Sequence, residues 1–415
     1  MSELSCKSCI PDAAFGQSGK VEIVFPGNVA SGVHGMALNN GRLFVVARVS
    51  HGFAGQVAFA GLTEQGQVDP SFGQQGFVMA PFGKDHAAKP IEVIASAGGD
   101  FVVLAEDRSQ SAGFPILGRY KPNGEPDRSF GEAGVVTLKL PGLLANDEPF
   151  GLTELADGRL LVAITRFDHE ANSVGLLVRL LADGSLDASF HDNGVFVFAL
   201  NDASNLWFEG ALQQQDGRVV VWGSTDAAGL LLRLGLDDLP DAGFGEGGCV
   251  RLTAPRGTQR ASIEFYDVVE GEGGDLVVAG ATDSRPYLAV VGRVTSTGQL
   301  DPSFNNGDVL VTAASSFGSR WVRSLQRDGR VTVCAGLTGI PYNERETEFL
   351  VGRLLADGQL DPGFGNGTGL KRTNIEAGAD VAHCALSPDD QRLILGGTAN
   401  VPGENSKAYL VCYFV

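Results

Sequence analysis

The sequence predicts an all-β fold: a closed seven-bladed β-propeller whose blades are four-stranded antiparallel sheets. One motif, Asp-x-x-Phe followed by a glycine-rich turn, recurs seven times in 415 residues. The phenylalanines of successive motifs are 57, 58, 60, 54, 60 and 60 residues apart. Each repeat also contains four short apolar runs and no segment with helical periodicity. Four antiparallel strands repeated at this period are typical of propeller blades.

The strands within each repeat are separated by two kinds of connection. After the motif comes a short alternating run, such as residues 135–140, and then a variable loop. A tight hairpin follows, as at Asp157-Gly158, because Asp-Gly favours a two-residue β-turn. A second variable loop and a second tight turn, such as Asp183-Gly184, return the chain to the motif. The tight turns should therefore lie on one face of the ring and the variable loops on the other.

The two ends of the chain predict how the ring closes. The last repeat stops after its third strand, over residues 409–415, and the first motif is followed by a strand without a partner, over residues 19–25. We expect the N-terminal strand to complete the last blade as its outer strand, because this pairing removes a free sheet edge. The sequence thus predicts a flexible segment over residues 1–10 and a single domain over 11–415.

Three residue types recur in the repeats and are interpreted as structural, because a feature present in every blade is better explained by folding than by one active site. The aspartate can accept hydrogen bonds from turn backbone, the arginine can pair with it, and the phenylalanine can act as a wedge between blades. The arginine is replaced by Gly61 in the first blade and by Tyr413 in the last. The members are Asp12, Asp69, Asp127, Asp187, Asp241, Asp301 and Asp361; Arg119, Arg179, Arg233, Arg293 and Arg353; and Phe15, Phe72, Phe130, Phe190, Phe244, Phe304 and Phe364.

The repeats resemble the delta-60 repeat family of bacterial proteins. The resemblance lies in the D-x-S-F-G-x-x-G motif, the strand after it, and the L-x-x-D-G-R-x-L-V-x-G hairpin, and it extends from Pro11 to the end of the chain. His191 and Asn305 replace the motif glycine in two repeats. The resemblance implies a propeller-like fold, and it carries no shared set of catalytic residues.

Composition and charge argue against two classes of partner. The formal net charge is −18 and the isoelectric point is about 4.7, whereas nucleic-acid binding depends on neutralising phosphates with Lys and Arg. No apolar run of about 18 residues predicts a membrane span, and residues 1–10 lack the apolar core of a secretory signal. We therefore expect neither nucleic-acid binding nor membrane insertion, and a protein that is cytoplasmic or is exported without a cleaved signal peptide.

The sequence predicts no cofactor, with a divalent metal ion as the alternative. His34, Glu92 and His383 fall at similar positions in three predicted innermost strands, and two histidines with a carboxylate can hold a metal. Separate polar residues remain the favoured interpretation. Cys6 and Cys9 form a C-x-x-C without a second ligand pair, and the other four cysteines lie in apolar strand patterns.

The variable loops provide the candidate binding residues, because sites on repeat folds usually lie where the repeats differ. One loop groups Arg166, Asp168 and His169, and another carries Tyr342 and Arg345, residue types that are enriched at protein interfaces. With no standard enzyme motif present, the first hypothesis is a non-catalytic scaffold that presents its loop face to a protein partner.

Two alternatives belong to other functional classes. A carbohydrate-binding propeller would use an aromatic side chain such as Trp207 or Trp321. A polysaccharide-acting hydrolase or lyase would use carboxylates at the mouth of the channel, because paired carboxylates perform acid–base chemistry on glycosidic bonds. The candidates are Asp147, Glu148, Glu209 and Glu264, which lie near the predicted junctions between variable loops and innermost strands.

Overall fold

The structure is a computed structural model that confirms the seven-bladed β-propeller. Each blade is a separate four-stranded antiparallel sheet. Helical structure in the described chain is limited to three short 3-10 turns, so no described helix is long enough to cross a membrane. The described residues are 10–27, 29–51, 54–82, 87–109, 113–140, 146–168, 170, 172–200, 205–255, 262–327, 331–339, 347–376, 379–389, 391–400 and 403–415.

The blades follow one another along the chain, and each runs from its innermost strand outwards. Blade 1 contains β2 (Ala30–Asn39), β3 (Arg42–His51), β4 (Ala54–Thr63) and β5 (Phe77–Met79). Blade 2 contains β6 (Ala88–Ala95), β7 (Phe101–Asp107), β8 (Phe114–Tyr120) and β9 (Val135–Thr137). Blade 3 contains β10 (Asn146–Glu154), β11 (Leu160–Phe167), β12 (Ser173–Leu180) and β13 (Val195–Phe198). Blade 4 contains β14 (Leu206–Gln213), β15 (Val219–Thr225), β16 (Gly229–Leu234) and β17 (Cys249–Leu252).

The remaining blades repeat this order, except at the closure. Blade 5 contains β18 (Ile263–Glu270), β19 (Leu276–Thr282), β20 (Ala289–Val294) and β21 (Leu310–Thr312). Blade 6 contains β22 (Ser319–Arg327), β23 (Val331–Thr338), β24 (Phe349–Leu354) and β25 (Leu370–Thr373). Blade 7 contains β26 (Ala379–Asp389), β27 (Arg392–Asn400) and β28 (Lys407–Phe414), and its outer strand is β1 (Lys20–Ile23).

The N-terminal strand closes the ring as expected. β1 pairs antiparallel with β28, with Lys20 opposite Val411 and Ile23 opposite Ala408. The side chain of Ile23 is buried, and it belongs to the apolar cluster shared by blades 7 and 1. Residues 1–9 lie outside the described part of the chain, as do Cys6 and Cys9.

The core consists of apolar clusters between adjacent blades. Seven clusters of buried side chains occur, one at each junction of the ring. The motif phenylalanine enters each junction from the turn face, the face that carries the tight turns. A Cβ added to Gly184, in the tight turn of blade 3, would lie 2.9 Å from the ring of Phe130 in the preceding motif. The wedge role is thus confirmed, and it explains why glycine occupies this turn.

The repeated aspartate and arginine form a salt bridge in every blade where both occur. The Arg Nε to Asp Oδ2 distances are 2.7 Å for Arg119–Asp127, 2.7 Å for Arg179–Asp187, 2.9 Å for Arg233–Asp241, 2.5 Å for Arg293–Asp301 and 2.7 Å for Arg353–Asp361. Each guanidinium also lies over the motif phenylalanine, 4.2–5.0 Å from the ring centre. We call this Asp–Arg–Phe unit the latch.

The latch also connects neighbouring blades. The Nη1 of Arg119 donates to the carbonyl of Ala182 in the next blade at 2.5 Å, and Arg233 does the same to Ser296 at 2.7 Å. In blade 1, where Gly61 replaces the arginine, Arg42 from the second strand pairs with Asp69 at 2.5 Å. In blade 7, Arg392 takes the corresponding place, 3.8 Å from Asp12.

Truncating Ile23 tests the closure. Ile23→Ala is expected to lower the free energy of unfolding by about 2–4 kcal/mol, because it leaves a cavity in the junction between blades 7 and 1. Its neighbour Val24 is 54% exposed, so Val24→Ala should change stability by no more than about 0.5 kcal/mol. Denaturant titration of both variants checks the difference, and equal losses would contradict the assigned closure.

Breaking one latch should cost more than breaking an exposed ion pair. Arg179→Met removes charged hydrogen bonds to Asp187 and Asp238 and is expected to cost about 1.5–3 kcal/mol. Arg372→Met, which removes an exposed pair with Glu348, should cost less than about 1 kcal/mol. Urea unfolding curves measure both, and a larger loss from Arg372→Met would refute the structural role of the latch.

Candidate functional site

A β-bulge recurs at the same point of every innermost strand. In each of the seven strands the pairing register shifts by one residue, and the extra residue lies on the strand edge that faces the propeller axis. A bulge changes the direction in which the side chain of the extra residue points. The extra residues therefore form a ring around the central channel, which we call the bulge ring: His34, Ile91, Phe150, Glu209, Tyr266, Val322 and His383.

A second ring lies closer to the loop face, the face that carries the variable loops. Because each innermost strand runs from a variable loop towards a tight turn, the residues two positions before the bulge lie nearer the channel opening. These residues form the mouth ring: Gly32, Lys89, Glu148, Trp207, Glu264, Arg320 and Val381. The side chains that carry the chemistry of both rings are partly buried, as expected for groups lining a narrow channel.

The channel is bridged below these two rings. Arg323 of blade 6 reaches across the axis to Glu92 of blade 2, with 2.7 Å between its Nη2 and the Oε1 of Glu92. The other carboxylate oxygen of Glu92 accepts the backbone N–H of Leu152 at 3.0 Å. Asp267 lies 3.7 Å from Arg323 and accepts hydrogen bonds from the backbone and hydroxyl of Ser324. These groups cross the axis on the turn-face side of both rings.

Glu209 is the most perturbed acid of the channel. Burial and, to a smaller extent, the nearby charge of Glu264 raise its pKa to about 8, against a smaller opposing effect of Lys89. Since the pKa lies above 7, the Glu209 carboxyl is protonated at neutral pH. A neutral carboxylic acid beside a second carboxylate can donate a proton, which an ordinary surface glutamate cannot do at this pH.

Glu264 is held by a tyrosine of its own strand. The hydroxyl of Tyr266 donates a hydrogen bond to the Glu264 carboxylate. Burial and the charge of Glu264 raise the pKa of Tyr266 well above its usual value, so the phenol remains a donor. The guanidinium of Arg320 lies over the rings of Tyr266 and Tyr287, 5.8 Å and 5.0 Å from their centres.

Two cations of the mouth ring form no salt bridge with a described residue. Lys89 extends from blade 2 and Arg320 from blade 6, on well-separated parts of the ring. The buried Nε of Arg320 also has no hydrogen-bond partner in the described chain. Partly buried cations that form no salt bridge are suited to bind an anionic group of a ligand.

His34 and His383 do come together, but not as a metal site with Glu92. Their rings stack at 4.3 Å with an interplanar angle of 15°, so their nitrogen lone pairs lie in nearly parallel planes. Glu92 lies one residue beyond the bulge and pairs with Arg323 instead. Burial lowers the pKa of His383 to about 4. The described residues include no group of three His, Cys, Asp or Glu side chains placed to hold a metal ion.

The two candidate tryptophans have different environments. Trp207 belongs to the mouth ring and is partly exposed. Trp321 is 1% exposed, because it precedes the bulge and points into the junction between blades 5 and 6. A Cβ on Gly352 would lie 2.8 Å from its indole, so Trp321 is packed in the core rather than placed on the loop face.

The loop residues singled out from the sequence form local structure where they are described. Arg166 forms a bidentate salt bridge with Asp147: its Nε lies 2.7 Å from Oδ1 and its Nη2 lies 2.8 Å from Oδ2. Asp168 accepts hydrogen bonds from the backbone of Glu170 and Asn172, which shapes the loop. His169, Tyr342 and Arg345 lie outside the described residues.

The structure adds Lys89, Tyr266 and Arg320 to the residues found by sequence reasoning. Sequence reasoning missed them because the innermost strands align residue by residue only when they are counted from the bulge, which the structure shows. Glu209 and Glu264 then fall on neighbouring levels of adjacent blades. Asp147 is not among the carboxylates of the two rings, because its side chain forms a salt bridge with Arg166.

A cleft of about 840 Å³ lies elsewhere, at the rim between blades 2 and 3. Its walls are formed largely by turn residues, including Gly131, Asp183 and Gly184, next to the undescribed residues 110–112. The Ser185 hydroxyl lowers the pKa of Asp183, which is the ordinary effect of a turn hydrogen bond. Glu209, Tyr266 and His383, by contrast, lie in the bulge ring and have pKa values shifted mainly by burial.

Comparison with known proteins agrees with the fold. A family described as "Domain of unknown function (DUF5122) beta-propeller" matches residues 155–190, which span one motif-to-hairpin unit in blade 3. This match supports a β-propeller repeat family. A search of curated proteins finds no match.

Solved structures share the architecture at low sequence identity. A polysaccharide lyase of family PL25, an ulvan lyase bound to -[GlcA(1-4)Rha3S]-, is 10% identical with a TM-score of 0.52, covering 94% of this chain and 96% of its own. A protein of unknown function from Dyadobacter fermentans is 12% identical with a TM-score of 0.47, covering 96% and 98%. YCF48 bound to D1 peptide is 12% identical with a TM-score of 0.47, covering 98% and 99%. At these identities the likeness concerns the fold alone.

The protonation of Glu209 can be tested through stability. The pKa of Glu209 is about 8 in the folded protein and about 4.3 in the unfolded chain, so ionising this carboxyl destabilises the fold. The free energy of unfolding is therefore unaffected by Glu209 below the unfolded pKa, and it falls as the pH rises from there through about 8. Glu209→Gln should therefore gain stability relative to the wild type between pH 4 and pH 9.

Denaturant titrations at pH 4, 6.5 and 9 would measure this difference. The control is Glu246→Gln, because Glu246 is an exposed glutamate on the turn face. The difference in free energy of unfolding between this variant and the wild type should not increase with pH. A constant difference between Glu209→Gln and the wild type across the range would show that Glu209 is ionised at neutral pH.

Proposed function

We propose that the protein binds an acidic saccharide in the mouth of the central channel, entering from the loop face. The observation that carries this proposal is the composition of the mouth ring. It combines the aromatic surface of Trp207 with two cations, Lys89 and Arg320, that have no salt bridge in the described chain. An aromatic face can stack on a sugar ring, and the cations can hold a carboxylate or sulfate substituent.

The bulge ring supports the same class of ligand. Glu209, Tyr266 and His34 provide donors and acceptors for hydroxyl groups, just below the mouth ring. The Glu92–Arg323 bridge crosses the axis beneath these groups and would limit how far a ligand entering from the loop face could reach. Polar groups that converge in a concave site with an aromatic wall are suited to a polyhydroxylated ligand.

The ulvan lyase gives this proposal a precedent in the same architecture, although its sequence identity supports no residue-level transfer. Its bound saccharide carries glucuronate and a sulfated rhamnose, as its description states. An acidic saccharide is therefore a class of ligand that a propeller of this size can accommodate.

A protein-binding scaffold is the second candidate. The observation that favours it is a group of exposed leucines on the turn face of blades 3 and 4, where Leu236 is 78% and Leu239 is 53% exposed. Exposed apolar groups of this kind occur at interaction surfaces. This candidate uses the turn face, whereas Tyr342 and Arg345, expected from the sequence to bind a partner, lie outside the described residues.

Binding to acidic polysaccharides tests the saccharide proposal. Titration calorimetry with polygalacturonate, alginate, hyaluronan and chondroitin sulfate should detect at least one interaction, accompanied by a change in tryptophan fluorescence. Lys89→Met and Arg320→Met should each weaken it about 10-fold or more, because each loses a charged contact worth about 1.5–3 kcal/mol.

Lys139→Met, an exposed lysine at the rim, is the matched control and should bind as the wild type does. No binding to any of these polymers, or equal weakening by all three substitutions, would contradict the proposal. In that case cross-linking of native complexes would test whether Leu236 and Leu239 lie in a protein interface.

A further inference from the structure

We infer that the channel mouth hydrolyses glycosidic bonds, with Glu209 as the general acid and Glu264 as the general base that activates water. This inference rests on the proposed saccharide site and assigns it an activity. It depends first on placement: the two carboxyl groups belong to the innermost strands of adjacent blades, Glu209 at the bulge and Glu264 two residues before the next bulge.

The two carboxyl groups have unlike surroundings, which is the requirement for an acid–base pair. Glu209 lacks a hydrogen-bond donor among the described residues and interacts unfavourably with the charge of Glu264, so it holds a proton at neutral pH. Glu264 instead accepts a hydrogen bond from the Tyr266 hydroxyl. One group can therefore donate a proton while the other accepts one.

The remaining channel residues have compatible roles. Trp207 lies on the same level as Glu264 and one blade away, where a sugar ring stacked on it would be next to both carboxyl groups. Lys89 and Arg320 would bind the anionic substituent of the saccharide, and this contact would determine which glycosidic bond lies next to the two carboxyl groups. The Glu92–Arg323 bridge would limit how far the saccharide could enter.

The reaction is balanced with water as the only co-reactant. Glu264 takes a proton from a water molecule as its oxygen attacks the anomeric carbon. The bond between that carbon and the glycosidic oxygen breaks, and the electron pair stays on the leaving oxygen, which takes the proton of Glu209. The products are two saccharides, one with a new reducing end, and a proton moves from Glu264 to Glu209 through solvent to restore the starting state.

The experiment uses whichever of the four polymers the full-length protein binds. Incubation should release reducing ends, and in ¹⁸O-labelled water the label should enter the new reducing end. Glu209→Gln and Glu264→Gln should each bind the polymer within about 3-fold of the wild type and lower kcat about 100-fold or more. Glu246→Gln, on the turn face, should retain full activity.

A pH profile separates a chemical role from a structural one. Activity of the wild type should fall as the pH rises through about 8, where Glu209 loses its proton. Glu209→Asp should keep part of the activity and shift that limb of the profile, which a merely structural role would not do.

The outcomes distinguish this inference from the proposed function. A polymer that is bound but yields no reducing ends overturns hydrolysis and leaves the binding proposal standing. Cleavage that produces the ultraviolet absorbance of an unsaturated uronate overturns hydrolysis in favour of elimination. Absence of binding to all four polymers overturns both.

Discussion

The fold depends on one charged unit that is repeated around the ring. In each latch an arginine neutralises the motif aspartate, covers the motif phenylalanine and, in several blades, donates to a carbonyl of the next blade. Despite desolvation, which raises the pKa of Asp127, hydrogen bonds from Ser129 and Arg119 bring it to about 2. The charge of this aspartate is therefore maintained over the whole physiological pH range.

The latch explains how the innermost strands can differ so much from one another. Five blades carry the latch at the turn face, and every junction contains an apolar cluster. Neither the latch nor the buried members of these clusters include the side chains of the bulge and mouth rings, which differ between blades. The bulge ring contains a glutamate, a tyrosine and two histidines alongside apolar residues. The contacts at the turn face are thus similar from blade to blade, whereas the side chains around the channel differ. This arrangement is common in folds that carry sites on a rigid scaffold.

Much of the fold was predictable because its determinants are local and repeated. The spacing of the motif phenylalanines predicts the blades, and the unpaired strands at the two ends predict the closure by β1. Arg42 and Arg392 were not predicted as replacements for the missing arginines, because they come from a different strand and meet the aspartates only in three dimensions.

The candidate site was predictable only in part. Glu209 and Glu264 were among the sequence candidates, whereas Lys89, Tyr266 and Arg320 were not. These residues can be grouped only when the position of the bulge is known. The bulge changes the side of the strand that faces the axis, and it leaves no signal in the hydrophobic pattern of the sequence. A shift of one residue also explains why Trp321 is buried and why Glu92 meets Arg323 rather than the two histidines.

The closure of the ring has a consequence for how the protein is made. β1 precedes the six other blades in the chain, whereas its partner β28 follows them. Until β28 is made, Ile23 and Phe25, both buried in the finished ring, have no junction to enter. While those six blades are being synthesised, the nascent chain therefore exposes an apolar strand without its final partner, and such a strand is prone to aggregate unless a chaperone binds it.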